Sequence, residues 1–122
     1  MDLFQITKTL VSEIKLTEIQ AKIFLHVVIN GRMTSAKISS DLDISLDDVT
    51  QNSKKLVELG GFIDMPNNEF EAMHPRFTAV NMYRKMCERE QKEFKKNLDI
   101  DNIGVALEPS YDDARTKYNK KN

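Results

Sequence analysis

Residues 34–73 read TSAKISSDLDISLDDVTQNSKKLVELGGFIDMPNNEFEAM, and the order of signals along this stretch decides the fold. Thr34 or Ser35 supplies a hydroxyl to cap a short helix that carries Ile38 and Leu42. Asp43-Ile44 makes a turn. Ser45 caps the next helix, and Asp47 and Asp48 stand in its first turn, where the positive end of the helix dipole favours carboxylates. Val49, Ser53, Leu56 and Val57 recur at helical spacing and predict its inner face. Gly60-Gly61 ends it. Phe62-Ile63-Asp64-Met65 reads as a strand, Pro66-Asn67-Asn68 as a turn, and Glu69 to Met73 alternates polar and apolar like a half-buried strand.

Working outward, Thr17 caps a preceding helix that runs through about Ile29, with Ile19, Ile23, Phe24, Val27 and Val28 inward and Asn30-Gly31 as its stop. Three short helices followed by a hairpin give the order of a winged helix-turn-helix. Residues 2–14 place Leu3, Ile6, Leu10 and Ile14 on one face of a leading helix. From Arg76 to about Asn97 a further helical pattern carries Phe77, Val80, Tyr83, Cys87 and Phe94 on one stripe, its far end projecting. The predicted fold class is therefore mostly α with a small β-hairpin: a winged helix-turn-helix with flanking N- and C-terminal helices. Residues 1–97 form that domain. Residues 98–122 are expected to be a C-terminal tail, partly ordered or disordered.

Composition bounds the function. The chain has 122 residues with a formal net charge of −1, so it is not a polybasic nucleic-acid protein. The charge is unevenly spread: residues 61–73 hold only Asp64, Glu69 and Glu71, whereas residues 74–97 hold 7 basic and 3 acidic side chains. Cys87 is the single cysteine, which rules out an internal disulfide and a four-cysteine zinc site. Neither a secretory leader nor a spanning segment is legible, and a cytoplasmic protein with no membrane association is expected.

Leu16-Thr17, Ala21-Lys22, Phe24-Leu25 and Gly31, then Ser39, Leu42, Val49, Lys55-Leu56, Leu59-Gly60, Ile63, Phe70-Glu71-Ala72 and Pro75 carry a resemblance. Over roughly residues 16–76 the chain resembles the DNA-binding domain of the archaeal TrmB-like transcriptional regulators, within the wider MarR-like winged-helix group. It is similar to the short members that lack a C-terminal sugar-binding domain, so no sugar effector is implied. The resemblance implies a homodimer that binds double-stranded DNA and represses or activates promoters.

On that reading the helix at about 46–59 enters the major groove and the wing at about 62–73 approaches the minor groove. Its outward face carries Asp47, Gln51, Lys54, Lys55 and Glu58, with Thr50 at the edge. Gln can bond bidentately to adenine, and Lys reaches guanine or phosphate. Thr34, Ser35, Lys37 and Ser45 are expected near the backbone, Asn67 and Asn68 at the wing tip, and Arg76 as a phosphate contact beside the wing. Leu3, Ile6 and Leu10 of the first helix, with Val80, Tyr83, Cys87 and Phe94 of the last, are the expected dimer seam. The alternative is a winged-helix protein-protein interaction module that does not bind DNA, with an unknown protein partner.

No catalytic constellation is expected. His26 and His74 are the only histidines and have no partner at metal-ligand spacing. The glycines Gly31, Gly60, Gly61 and Gly104 form no phosphate-binding loop. No enzyme activity, metal or cofactor is predicted.

Overall fold

The computed structural model describes residues 1–121, with side chains placed through residue 117. Helix α1 spans Leu3–Glu13, α2 Glu18–Asn30, α3 Ser35–Leu42, α4 Leu46–Leu59, α5 Pro75–Arg89 and α6 Leu98–Lys121. Strands β1 (Met33–Thr34), β2 (Ile63–Met65) and β3 (Glu69–Glu71) form one antiparallel sheet in the order β1-β3-β2. The protein is mostly helical with this small sheet at one side.

Local chemistry sets the boundaries. Asp2 and Gln5 close a capping box on α1, and Thr17 with Gln20 does the same for α2. Thr34 accepts from the Lys37 amide to start α3, and Ser45 accepts from the Asp48 amide to start α4. Asp43 ends α3 in the left-handed region (φ 55°), and Gly60 ends α4 at φ 93°. The chain then turns sharply: the amides of Gly61 and Phe62 both donate to the Leu56 carbonyl, which aims β2 back along α4.

The β2–β3 hairpin turns through Asn67 (φ 64°) and Asn68 (φ 58°), with the Glu69 amide donating to the Pro66 carbonyl. Two successive left-handed residues make a type I′ turn, and asparagine tolerates that region better than other residues with a Cβ. Phe70 on β3 points inward. With Phe62 and Phe24 it forms an aromatic row, centroids 5.9 and 6.1 Å apart, that fixes the hairpin to α2. β1 was not legible: its two residues pair Met33 with Phe70 and Thr34 with Glu69, too short a run to show alternation.

Three expectations are corrected. First, residues 98–121 are helix rather than tail. Asn97 caps α6 through its side chain, which accepts from the Asp99 and Ile100 amides. Ile100, Ile103, Leu107, Tyr111 and Ala114 then bury one long face against α5 and α2. The chain runs through Pro109 without leaving the helix. A mid-helix proline forfeits a backbone hydrogen bond at about 3 kcal/mol. Burial of the flanking Leu107 and Tyr111, each worth about 1.5–3 kcal/mol, offsets it.

Second, α5 stops at Arg89 instead of projecting to Asn97. Gln91 takes φ 54° and the Lys92 amide donates back to the Cys87 carbonyl, so the chain turns toward the start of α6. Third, the buried stripe of α5 is rotated. Thr78, Ala79, Met82, Met86 and Cys87 face inward, while Phe77 is exposed. The cause is α6, which covers a face of α5 that its own sequence does not mark.

Candidate nucleic-acid interface

Helix α4 is the element on which a groove-reading surface was expected, and its inner face is as anticipated: Val49, Ser53 and Leu56 are buried and Val57 is partly buried. Asp47, Gln51, Lys54, Lys55 and Glu58 are all exposed on the opposite side, with Thr50 partly exposed. Hydrogen bonds already organise this surface. Gln51 Nε2 donates to Asp47 Oδ2 at 3.1 Å, and Lys55 Nζ lies 3.3 Å from Glu58 Oε2. Lys54 has no ion pair or hydrogen bond among the described residues. Asn67 and Asn68 are exposed at the hairpin tip.

The flanking polar groups are more committed than their sequence suggests. The hydroxyls of Thr34 and Ser45 serve as helix caps. Ser35 is buried, and its Oγ donates to the Asn68 carbonyl at 3.5 Å, linking α3 to the hairpin turn; it does not present itself at the surface as a backbone contact. Lys37 Nζ donates to Asp41 Oδ1 at 2.6 Å. His26 Nε2 lies 2.8 Å from the other Asp41 oxygen, and Asn30 Nδ2 donates to His26 Nδ1 at 3.2 Å. The Asp41 carboxyl is held below the usual carboxylate range, first by the hydrogen bond from Lys37 and then by that from His26. Arg32 Nε lies 3.9 Å from Glu69 Oε2.

Arg76 belongs to a second cluster. Its Nε donates to Glu108 Oε2 at 2.7 Å and its Nη2 to Oε1 at 3.5 Å, a bidentate pair across to α6. His74 caps α5 by accepting from the Arg76 amide at Nδ1, lies 3.2 Å from Glu108 through Nε2, and meets the Tyr111 ring edge-on. The basic excess of residues 74–97 is partly matched. Arg84 pairs with Glu88, Lys92 with Glu90, Lys95 with Glu93 and Lys96 with Asp101. Of these only Lys96–Asp101, like Arg76–Glu108, reaches across to α6, and that part of the matching is what the sequence did not show; the other three pairs are local to α5 and the loop after it.

The expected dimer seam is split. Ile6, Leu10 and Cys87 are 2 % exposed or less within this one chain, so they are core residues and not a seam. Val80 and Tyr83 are partly buried against the same core, and Tyr83 also meets Phe94 at 6.0 Å. Of the named residues only Leu3 and Phe94 remain largely exposed; Phe4 joins them on α1. The reason is again α6, which with α5 and α2 supplies the cover that a second copy was expected to give.

Among the described residues no group of three His, Cys, Asp or Glu side chains gathers at metal-binding distance, and no helix is long and apolar enough to cross a membrane. Comparison with protein-family models, with curated proteins and with solved structures finds no match for this chain.

Proposed function

We propose that the chain is a winged helix-turn-helix protein that acts as a homodimeric, sequence-specific DNA-binding transcriptional regulator. The observation that carries this reading is the exposed face of α4, where Gln51 and Lys54 stand one turn apart on a helix held rigidly by its buried side. On this reading α3 and α4 with the turn Asp43-Ile44 are the helix-turn-helix, α4 lies in the major groove, and the β2–β3 hairpin is the wing. Gln51 is the adenine reader, released from Asp47 on binding, and Lys54 takes a guanine or a phosphate. The uncharged asparagine tip approaches the minor groove without repulsion from phosphate. In a dimer the two α4 helices meet half-sites about one helical turn, about 34 Å, apart.

Selection of bound fragments from genomic DNA at two salt concentrations tests this. A preferred palindromic site is expected, with affinity falling steeply as salt rises. Gln51→Ala combined with Lys54→Ala should weaken binding to the selected site by about tenfold or more, since one bidentate base contact is worth about 1–3 kcal/mol. Undiminished binding by that double variant would remove α4 from the interface.

One observation favours a second reading, a protein-interaction module of the same fold. Lys37, Lys55 and Arg76 are each paired with a carboxylate, so DNA phosphates must displace Asp41, Glu58 and Glu108 to reach them. Absence of any shift with genomic fragments at low salt, where phosphate contacts are strongest, selects this second reading.

A further inference from the structure

A small half-open cleft of about 90 Å³ lies between the end of α2, strand β3 and the later turns of α6. Its floor is apolar, made by Val28, Ala72 and Ala114. Its lining is also charged: Glu71 from β3, Arg115 from α6 beside the Tyr111 hydroxyl, and Arg32. Nothing in the DNA-binding reading uses these groups, and the inference does not depend on it.

We propose that this cleft binds a small zwitterion, an α-amino acid with a short side chain. Arg115 Nη1 donates to Tyr111 Oη at 2.8 Å, which fixes the plane of the guanidinium and leaves its other edge for a carboxylate. Glu71 is close enough to stabilise the Arg115 cation, yet the two form no ion pair within 4.0 Å. The Glu71 carboxylate has no hydrogen-bond or ion-pair partner among the described residues. Two opposite charges held apart across an apolar floor match a ligand that carries both charges on adjacent groups. The α2 helix also ends at this cleft, and the negative end of its dipole favours an ammonium there.

The charge pattern discriminates against simpler ligands. A lone anion drawn to Arg115 must face Glu71, and a lone cation drawn to Glu71 must face Arg115 and the nearby Arg32. Size discriminates too. A cavity of about 150 Å³ accepts benzene, so this smaller one suits glycine or alanine rather than an aromatic or long side chain.

The test is an amide NMR titration of the full chain with L-alanine, with acetate and methylammonium as separate half-ligands. Saturable shifts at Val28, Gly31, Ala72 and Ala114, absent at Gln51, are expected, and each half-ligand should bind at least about tenfold more weakly. Glu71→Gln and Arg115→Gln should each weaken alanine binding by about tenfold or more, both side chains lining the cleft. Ala114→Leu, which fills the floor with both charges intact, should abolish it; the unliganded spectrum of each variant reports whether the fold is kept. Lack of saturable shifts with alanine overturns the proposal. So does acetate binding as tightly as alanine, or alanine binding that survives all three substitutions in folded protein.

Discussion

Asp41 takes hydrogen bonds from Lys37 and His26, joining α3 to α2 at the surface. Both bonds favour the ionised carboxyl, so its pKa in the folded chain lies below the value near 3.9 of an unfolded aspartate. The sign of the linkage follows: this contribution to stability is fully present above the unfolded value and is lost as pH falls through the folded one. Asp41→Asn is therefore expected to lower the thermal midpoint at neutral pH, with the difference from the parent protein shrinking below about pH 4. Thermal unfolding followed by circular dichroism across pH 2–8 checks it. The same residue shows why single positions were only partly legible. The caps Thr17, Thr34 and Ser45 act on amides three residues away, and their roles are local enough to read directly. Lys37 and Asp41 stand four residues apart on α3, so their pair is local, whereas the bridge onward to His26 depends on α2 and α3 meeting.

Helix α6 is the element that most changes the picture. Ile103, in the second turn of α6, is fully buried, so Ile103→Ala should destabilise the protein by about 2–5 kcal/mol, measured by urea unfolding. A detached tail would leave stability unchanged. Gly104 gives a second, sharper test. A Cβ there would stand 2.7 Å from the Arg76 Cα, a backbone atom that cannot swing aside. Gly104→Ala must push α5 and α6 apart and should cost about 1–3 kcal/mol despite the better helix propensity of alanine. Both effects belong to helix packing. Gly104 and Pro109 are poor helix formers, so local propensity does not mark a continuous helix around the apolar residues Ile100, Ile103 and Leu107. Their spacing of three and four is helical, but it gains meaning only when α5 and α2 offer a surface to receive it.

For the molecule as a whole, charge and cover are the two properties that pairing rearranges. The basic excess at residues 74–97 is reduced by Asp101 and Glu108 of α6, so the surface field is somewhat flatter than the linear charge map implies. The apolar face of α1, expected to need a second copy, is covered within the chain at Ile6 and Leu10, and what remains outside is Leu3 and Phe4. If the proposed homodimer forms through α1, these two exposed side chains carry it. Leu3→Glu with Phe4→Glu should then shift the solution mass to that of a monomer while leaving the circular dichroism spectrum unchanged, and light scattering measures this. A dimer that persists in the double variant moves the seam elsewhere, to the side chains around Phe94.

The sequence by itself determined helices α1 to α4, the start of α5 and the hairpin. Caps, glycine stops and left-handed turn residues act over three or four positions, where the chain carries its own instructions. Only the tertiary structure decided the strand Met33–Thr34, the rotation of α5, the inclusion of α6 in the core and the pairing of Arg76 with Glu108. Each of these depends on groups far apart in the chain coming together: β1 exists because β3 pairs with it, and α6 is buried because α5 and α2 receive it. Local patterns encode conformation, whereas burial and charge pairing are properties of the assembled surface.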